Sequence, residues 1–127
     1  MTVQGPTNVD LVRQLWERFD AGDFQGAGDL VHEDFVMDWP QSRERIRGRS
    51  NFVAVNRNYP GRWRCRPRRI VDCESLVISE VEVTDGTTVV YALSFFEAKD
   101  GLLARAREYW GDTYEAPAWR APWVERY

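Results

Sequence analysis

Apolar residues recur at helical spacing near the amino end of the chain and alternate with polar ones along its second half. Val9, Val12, Leu15, Trp16 and Phe19 fall on one stripe, so the spacing predicts a helix capped by Asn8 and ended by Asp20-Ala21-Gly22-Asp23. Residues 1–7 are short, polar and carry Gly5-Pro6, and are expected to be a flexible terminus. A second short helix over residues 24–31 gathers Phe24, Ala27, Leu30 and Val31 on one side. Residues 35–39 then read as a brief strand stopped by Pro40. Residues 41–48 are polar and mixed in charge, which predicts a loop on the rim of the domain. A third helix, opened by Ser50 or Arg49, is predicted over residues 51–58 and broken by Tyr59-Pro60-Gly61. Residues 63–71 read as an edge or bulged strand, because Pro67 lies inside it and Arg64, Arg66 and Arg68 alternate with Trp63, Cys65 and Pro67.

The strongest pattern is a three-strand meander over residues 76–83, 87–96 and 102–110. Asp85-Gly86 and Lys99-Asp100-Gly101 close its hairpins, since both pairs tolerate the positive φ of tight turns. Val77, Ser79, Val81 and Val83 share one face, with Ile78, Glu80 and Glu82 on the other. In the last strand Ala104, Ala106, Glu108 and Trp110 oppose Arg105, Arg107 and Tyr109, so Glu108 is a carboxylate on an apolar face. The middle strand is apolar on both faces, and each face needs a cover. Arg64, Arg66 and Arg68 could grip phosphate. Cross-strand pairing with Glu80 and Glu82 is the better account of them.

Composition narrows the function. A chain of 127 residues has room for one domain, and a net charge of −3 with interspersed signs leaves no footprint for nucleic acid. Arginine outnumbers lysine sixteen to one, a bias expected of a GC-rich genome. No apolar run is long enough to span a bilayer and no secretory signal is present, so a soluble, cytoplasmic protein with reduced Cys65 and Cys73 is the default. With His32 as the only histidine and no ligand-spaced cysteines, no metal and no cofactor are expected. Residues 112–127 carry two tryptophans and two tyrosines, which predicts an aromatic segment packed on the domain or on a partner subunit.

The order of elements, with Ala21-Gly22-Asp23 after the first helix, Leu30-Val31-His32-Glu33-Asp34-Phe35, Ile46-Arg47-Gly48 and Arg107-Glu108-Tyr109-Trp110, resembles the nuclear transport factor 2-like superfamily and its SnoaL-like group. That group contains polyketide cyclases and relatives of ketosteroid isomerase. The resemblance implies an α+β fold in which a cone-shaped, strongly bent, mainly antiparallel sheet wraps around three helices. It also implies a cavity for a hydrophobic small molecule, and a homodimer through the outer sheet face, where Val89, Tyr91, Leu93 and Phe95 form an apolar row. The isomerase machinery does not carry over. The resemblance puts Leu15 at the tyrosine position, Ser94 at the acid position and Trp39 at the base position, with Asp38 one residue away on the opposite strand face.

The cavity expected from alternation takes Phe35, Met37, Trp39, Val77, Ser79, Val81, Ala92, Ser94, Ala106, Glu108 and Trp110 from the sheet. Trp16, Phe19, Phe52 and Asn56 come from the helices. Glu108 is the first candidate for a catalytic acid or base, because burial among aromatic walls raises a carboxyl pKa. Asp38 is the alternative base, and Ser94, Asn56 and His32 are candidate hydrogen-bond partners. The competing reading pairs Glu108 with Arg47 or Arg57 as a structural ion pair. Two functions stay open: a cofactor-free enzyme acting on a hydrophobic carbonyl or epoxide compound, or a ligand-binding or assembly module without turnover.

Overall fold

Thr7, not Asn8, caps the first helix: its hydroxyl accepts from the Asp10 N–H, and the Asp10 carboxylate accepts from the Thr7 N–H in return. Thr7 is therefore ordered, whereas the rest of the predicted flexible terminus lies outside the described residues, since the computed structural model describes residues 7–127. Helix α1 (Asn8–Ala21) buries Leu11, Val12, Leu15 and Trp16 and ends on Gly22 in the left-handed region. Helix α2 is short (Phe24–Gly28), and Val31, expected inside it, instead begins strand β1 (Val31–Trp39).

The predicted rim loop contains a strand. Its residues form β2 (Glu44–Arg47), which pairs antiparallel with β1 and buries Ile46 among otherwise exposed polar neighbours. One apolar residue in four is too faint a period to announce a strand, and pairing with β1 supplies what propensity does not. Gly48 caps helix α3 (Arg49–Arg57), which takes in both predicted opening residues and so starts before residue 51. Strands β3 (Arg64–Cys73), β4 (Leu76–Thr84), β5 (Val89–Lys99) and β6 (Leu102–Asp112) follow as a continuous antiparallel run.

The six strands form one sheet in the order β2-β1-β6-β5-β4-β3. Only the β1–β6 pair is parallel, and it joins the amino-terminal hairpin to the meander. As its proline suggested, β3 is an edge strand with a register shift between Pro67 and Arg69. That shift re-aims the arginines. Arg69 meets Glu80 at 2.9 Å and Arg68 meets Glu82 at 3.7 Å, while Arg64 reaches across to Asp20 of α1 at 2.8 Å. Asp20, held by Arg64 and by the Cys65 N–H, has its carboxyl drawn down to about 2. This contact fastens the end of α1 to the sheet edge.

The sheet curls around the helices in the α+β cone arrangement. Helix α1 packs on β3, β4 and β6, and α3 packs on β1 and β2. Along β4 every second residue is buried, from Val77 through Ser79 and Val81 to Val83, as the alternation predicted. Phe35, Phe52, Phe96 and Leu103 are the large side chains at the centre of the core. Outside, Tyr91 and Leu93 remain 43% and 41% exposed, so among the described residues the middle of the outer face of β5 is left uncovered. The segment after β6 includes a 3₁₀ helix (Ala118–Trp123) whose Trp119 and Trp123 are 70% and 78% exposed.

Candidate functional site

Between the hollow of the sheet and the helices lies a cavity of about 700 Å³. Helix α1 gives it Leu15, Trp16 and Phe19, and α3 gives it Phe52, Val55 and Asn56. Met37 and Trp39 of β1, Val83 and Val90 of the meander, and Glu108 and Trp110 of β6 form the sheet wall. All of these are apolar or aromatic apart from Asn56 and Glu108. Such a wall takes an apolar body and fixes it with few polar contacts.

Glu108 is 5% exposed and reaches this cavity without a cationic partner among the described residues. Its Oε1 accepts from Trp39 Nε1 at 3.0 Å and from Trp110 Nε1 at 2.9 Å. Its Oε2 accepts from the Ser94 hydroxyl at 2.7 Å. Strand geometry explains each contact. Ser94 lies directly across from Glu108 in the β5–β6 ladder, and Trp110 is two residues along on the same face. Trp39 comes from the parallel neighbour, where Asp38 pairs with Arg107 and the next residue falls beside Glu108. Burial pushes the Glu108 carboxyl above its ordinary range, and the three donated hydrogen bonds counter part of that rise.

The predicted ion pair of Glu108 with Arg47 or Arg57 does not form: the carboxylate is held instead by three neutral donors, Trp39, Trp110 and Ser94. Asp38, the alternative base, faces outward. Its carboxylate takes two bonds from Arg45, at 2.6 and 3.2 Å, and Arg105 stands 3.7 Å away. The Arg45 hydrogen bond holds the Asp38 carboxyl below its usual value, so it is a weak base on the wrong face of the sheet. His32 is also removed from the site, its ring bonding the Lys99 carbonyl at the far end of β1.

Of the other predicted lining residues, Trp16, Phe19, Met37, Trp39, Phe52, Asn56 and Trp110 line the cavity. Phe35, Val77, Ser79, Val81, Ala92, Ser94 and Ala106 do not: they are buried in the core and take no part in the wall. Ser79 accepts from Trp16 Nε1 at 3.0 Å and fixes that indole, while Ser94 fixes Glu108. Asn56 lines the cavity but is no partner of Glu108, since its amide bonds back to the Phe52 carbonyl. Sequence reasoning missed Phe24, Tyr59, Trp63 and Cys65. The signal for Trp63 and Cys65 was present, because they alternate with the arginines of β3 and so share its inward face. Burial drives the Cys65 thiol up to about 12, which leaves it an inert wall group. Among the described residues no cluster of His, Cys, Asp or Glu could hold a metal ion, and no helix is long and apolar enough to cross a membrane.

A curved six-stranded sheet and three helices around one aromatic cavity define the cone-shaped class of α+β proteins. Within that class residues 12–106 match the SnoaL-like domain, and the chain belongs to this family. A solved structure of an NTF-2 like protein of unknown function from Burkholderia xenovorans LB400 is 33% identical, with a TM-score of 0.79 over 93% of each chain. A ketosteroid isomerase candidate from Kribbella flavida DSM 17836 is 30% identical, with a TM-score of 0.82 over 92% of this chain and 87% of its own. An LEH-like epoxide hydrolase of M. tuberculosis shares the fold at 22% identity and a TM-score of 0.66, over 80% of each chain. Among curated proteins none matches the chain.

Proposed function

We propose that this protein binds a hydrophobic small molecule in its cone and moves a proton with Glu108, as a cofactor-free isomerase, cyclase or epoxide hydrolase. The single observation carrying this reading is a carboxylate, at the wall of an open aromatic cavity, that has no cationic partner among the described residues. A structural acid would be expected to meet an arginine, or to sit in a filled core. Burial makes Glu108 a stronger base than a solvated glutamate, which suits abstraction of a weakly acidic proton. Similarity to the Kribbella flavida protein supports the isomerase end of that range, although the Leu15, Trp39 and Ser94 positions depart from isomerase machinery.

Binding without turnover is the second reading, and one observation favours it. The Trp39 and Trp110 N–H groups, which could have steadied a developing oxyanion, are both spent on Glu108. A thermal-shift screen of hydrophobic ligands, followed by turnover assays on the hits, separates the two. Glu108→Gln is expected to abolish turnover and leave Tm within a few degrees. A large loss of stability with unchanged turnover would count against catalysis.

The same reading extends to assembly. Tyr91 and Leu93 leave an apolar strip that a second copy would cover, giving a homodimer through the outer sheet face. Sedimentation equilibrium tests it, with wild type expected as a dimer and Leu93→Arg as a monomer.

A further inference from the structure

A ligand is selected by the hydrogen-bonding groups that the cavity has left over, and these can be counted. Four indoles, those of Trp16, Trp39, Trp63 and Trp110, stand in the wall. Each N–H already has an acceptor: Ser79 Oγ at 3.0 Å, Glu108 Oε1 at 3.0 and 2.9 Å, and the Pro60 carbonyl at 2.7 Å. An indole has no other donor and no acceptor, so all four offer a ligand only their ring faces.

Glu108 differs. An ionised carboxylate has room for about four hydrogen bonds. Oε1 takes two and Oε2 takes one, from Ser94, leaving one acceptor position on Oε2. Every contact the carboxyl makes is one in which it accepts. Gln41, Ser42, Arg57, Tyr59 and Arg62 do carry donors and Asp112 carries acceptors, but all six are exposed residues of the cavity lining. Asn56, part-buried in the wall on α3, commits one amide N–H to the Phe52 carbonyl and keeps the other N–H and its Oδ1, so it can pair a donor or an acceptor and selects for neither.

From this count we infer that the ligand presents a hydrogen-bond donor, a hydroxyl or a protonated amine on an apolar body, to Oε2 of Glu108. A carbonyl or ether oxygen placed there would face the acceptor lone pairs of Oε2 and leave its own unpaired. The indole faces serve both forms of donor, stacking on a neutral ring and attracting a cationic head. This inference rests on the reading of the cone as a small-molecule site, and it specifies the inner end of that molecule.

The test uses three ligands of one shape: acetylnaphthalene, naphthylethanol and naphthylethylamine, titrated calorimetrically into wild type and Glu108→Gln at neutral pH. In wild type the alcohol, the amine or both are expected to bind at least about tenfold more tightly than the ketone, as a donor-reading site rejects an acceptor. Whichever of the two binds tighter identifies the head as neutral or cationic, and either result supports the inference. In Glu108→Gln the side-chain oxygen must stay with the two indole N–H groups, so the amide N–H₂ takes the place of Oε2. The preference is then expected to invert toward the ketone. A ketone that binds wild type as tightly as the alcohol and amine overturns the inference and leaves the small-molecule site standing. Failure of all three to bind overturns both. The wild-type ranking decides the matter even if Glu108→Gln does not fold.

Discussion

Asp38 and Glu108 stand on adjacent strands, one register position apart, and the sheet between them gives them opposite chemistry. Outside, Asp38 is clasped by Arg45 and approached by Arg105, and its carboxyl is held low. Inside, Glu108 meets two indoles and a serine, and burial moves its carboxyl up. The same contrast runs along β5, where Phe96 is 1% exposed and its neighbour Phe95 is only partly covered by Tyr109. What a residue does in this protein depends first on which side of a strand it lands, because the two sides differ in solvent and in partners.

Truncating the phenylalanines should break that contrast most visibly. Phe96→Ala opens a void in the closed core and is expected to cost about 3–5 kcal/mol in chemical denaturation. Phe95→Ala removes a half-covered ring, and a loss of about 1 kcal/mol or less is expected in the monomer, with the outer strip as its only casualty. Equal losses at the two positions would mean that the outer face is covered too.

The carboxylates sharpen the comparison through pH. A carboxyl whose pKa rises on folding binds its proton more tightly when folded, so its contribution is fully present below the unfolded value, near 4.5, and fades as pH rises through the folded value. The Tm advantage of wild type over Glu108→Gln should therefore shrink as pH climbs from about 4 toward neutrality. A lowered pKa works the other way. Asp38 contributes above its unfolded value of 3.8 and loses that contribution as pH falls through the folded value. Asp38→Asn should thus be slightly less stable than wild type at neutral pH, by no more than about 2 °C in Tm, and equal to it in strong acid. A parallel pH trend for the two variants would erase the distinction between the faces. The indole N–H resonances of Trp39 and Trp110 offer an independent readout, expected to titrate together with Glu108 in wild type and to be flat in Glu108→Gln.

The site was legible in unequal parts. Alternation along β4 and β6 assigned Ser79, Val81, Glu108 and Trp110 to the inward side, and that assignment holds. It did not tell a cavity wall from the packed core behind it, which is why Phe35, Ser79, Val81 and Ser94 were expected against the ligand. Face is a property of one strand. Depth depends on how far the sheet curls and on which helix closes over it. Strand β2 was missed for a related reason, since its pairing with β1 is written in neither segment alone.

The chain by itself determined the meander, its turns and the side of each strand on which a residue lies, because a period of two and the demand for positive φ at Asp100-Gly101 are local. Only the tertiary structure decided what Glu108 touches. Trp39 is 69 residues away in sequence and Ser94 is 14, and strand register alone brings both within hydrogen-bonding distance. Neutral donors rather than an arginine therefore surround the buried acid, a choice made by which strands become neighbours and at what offset.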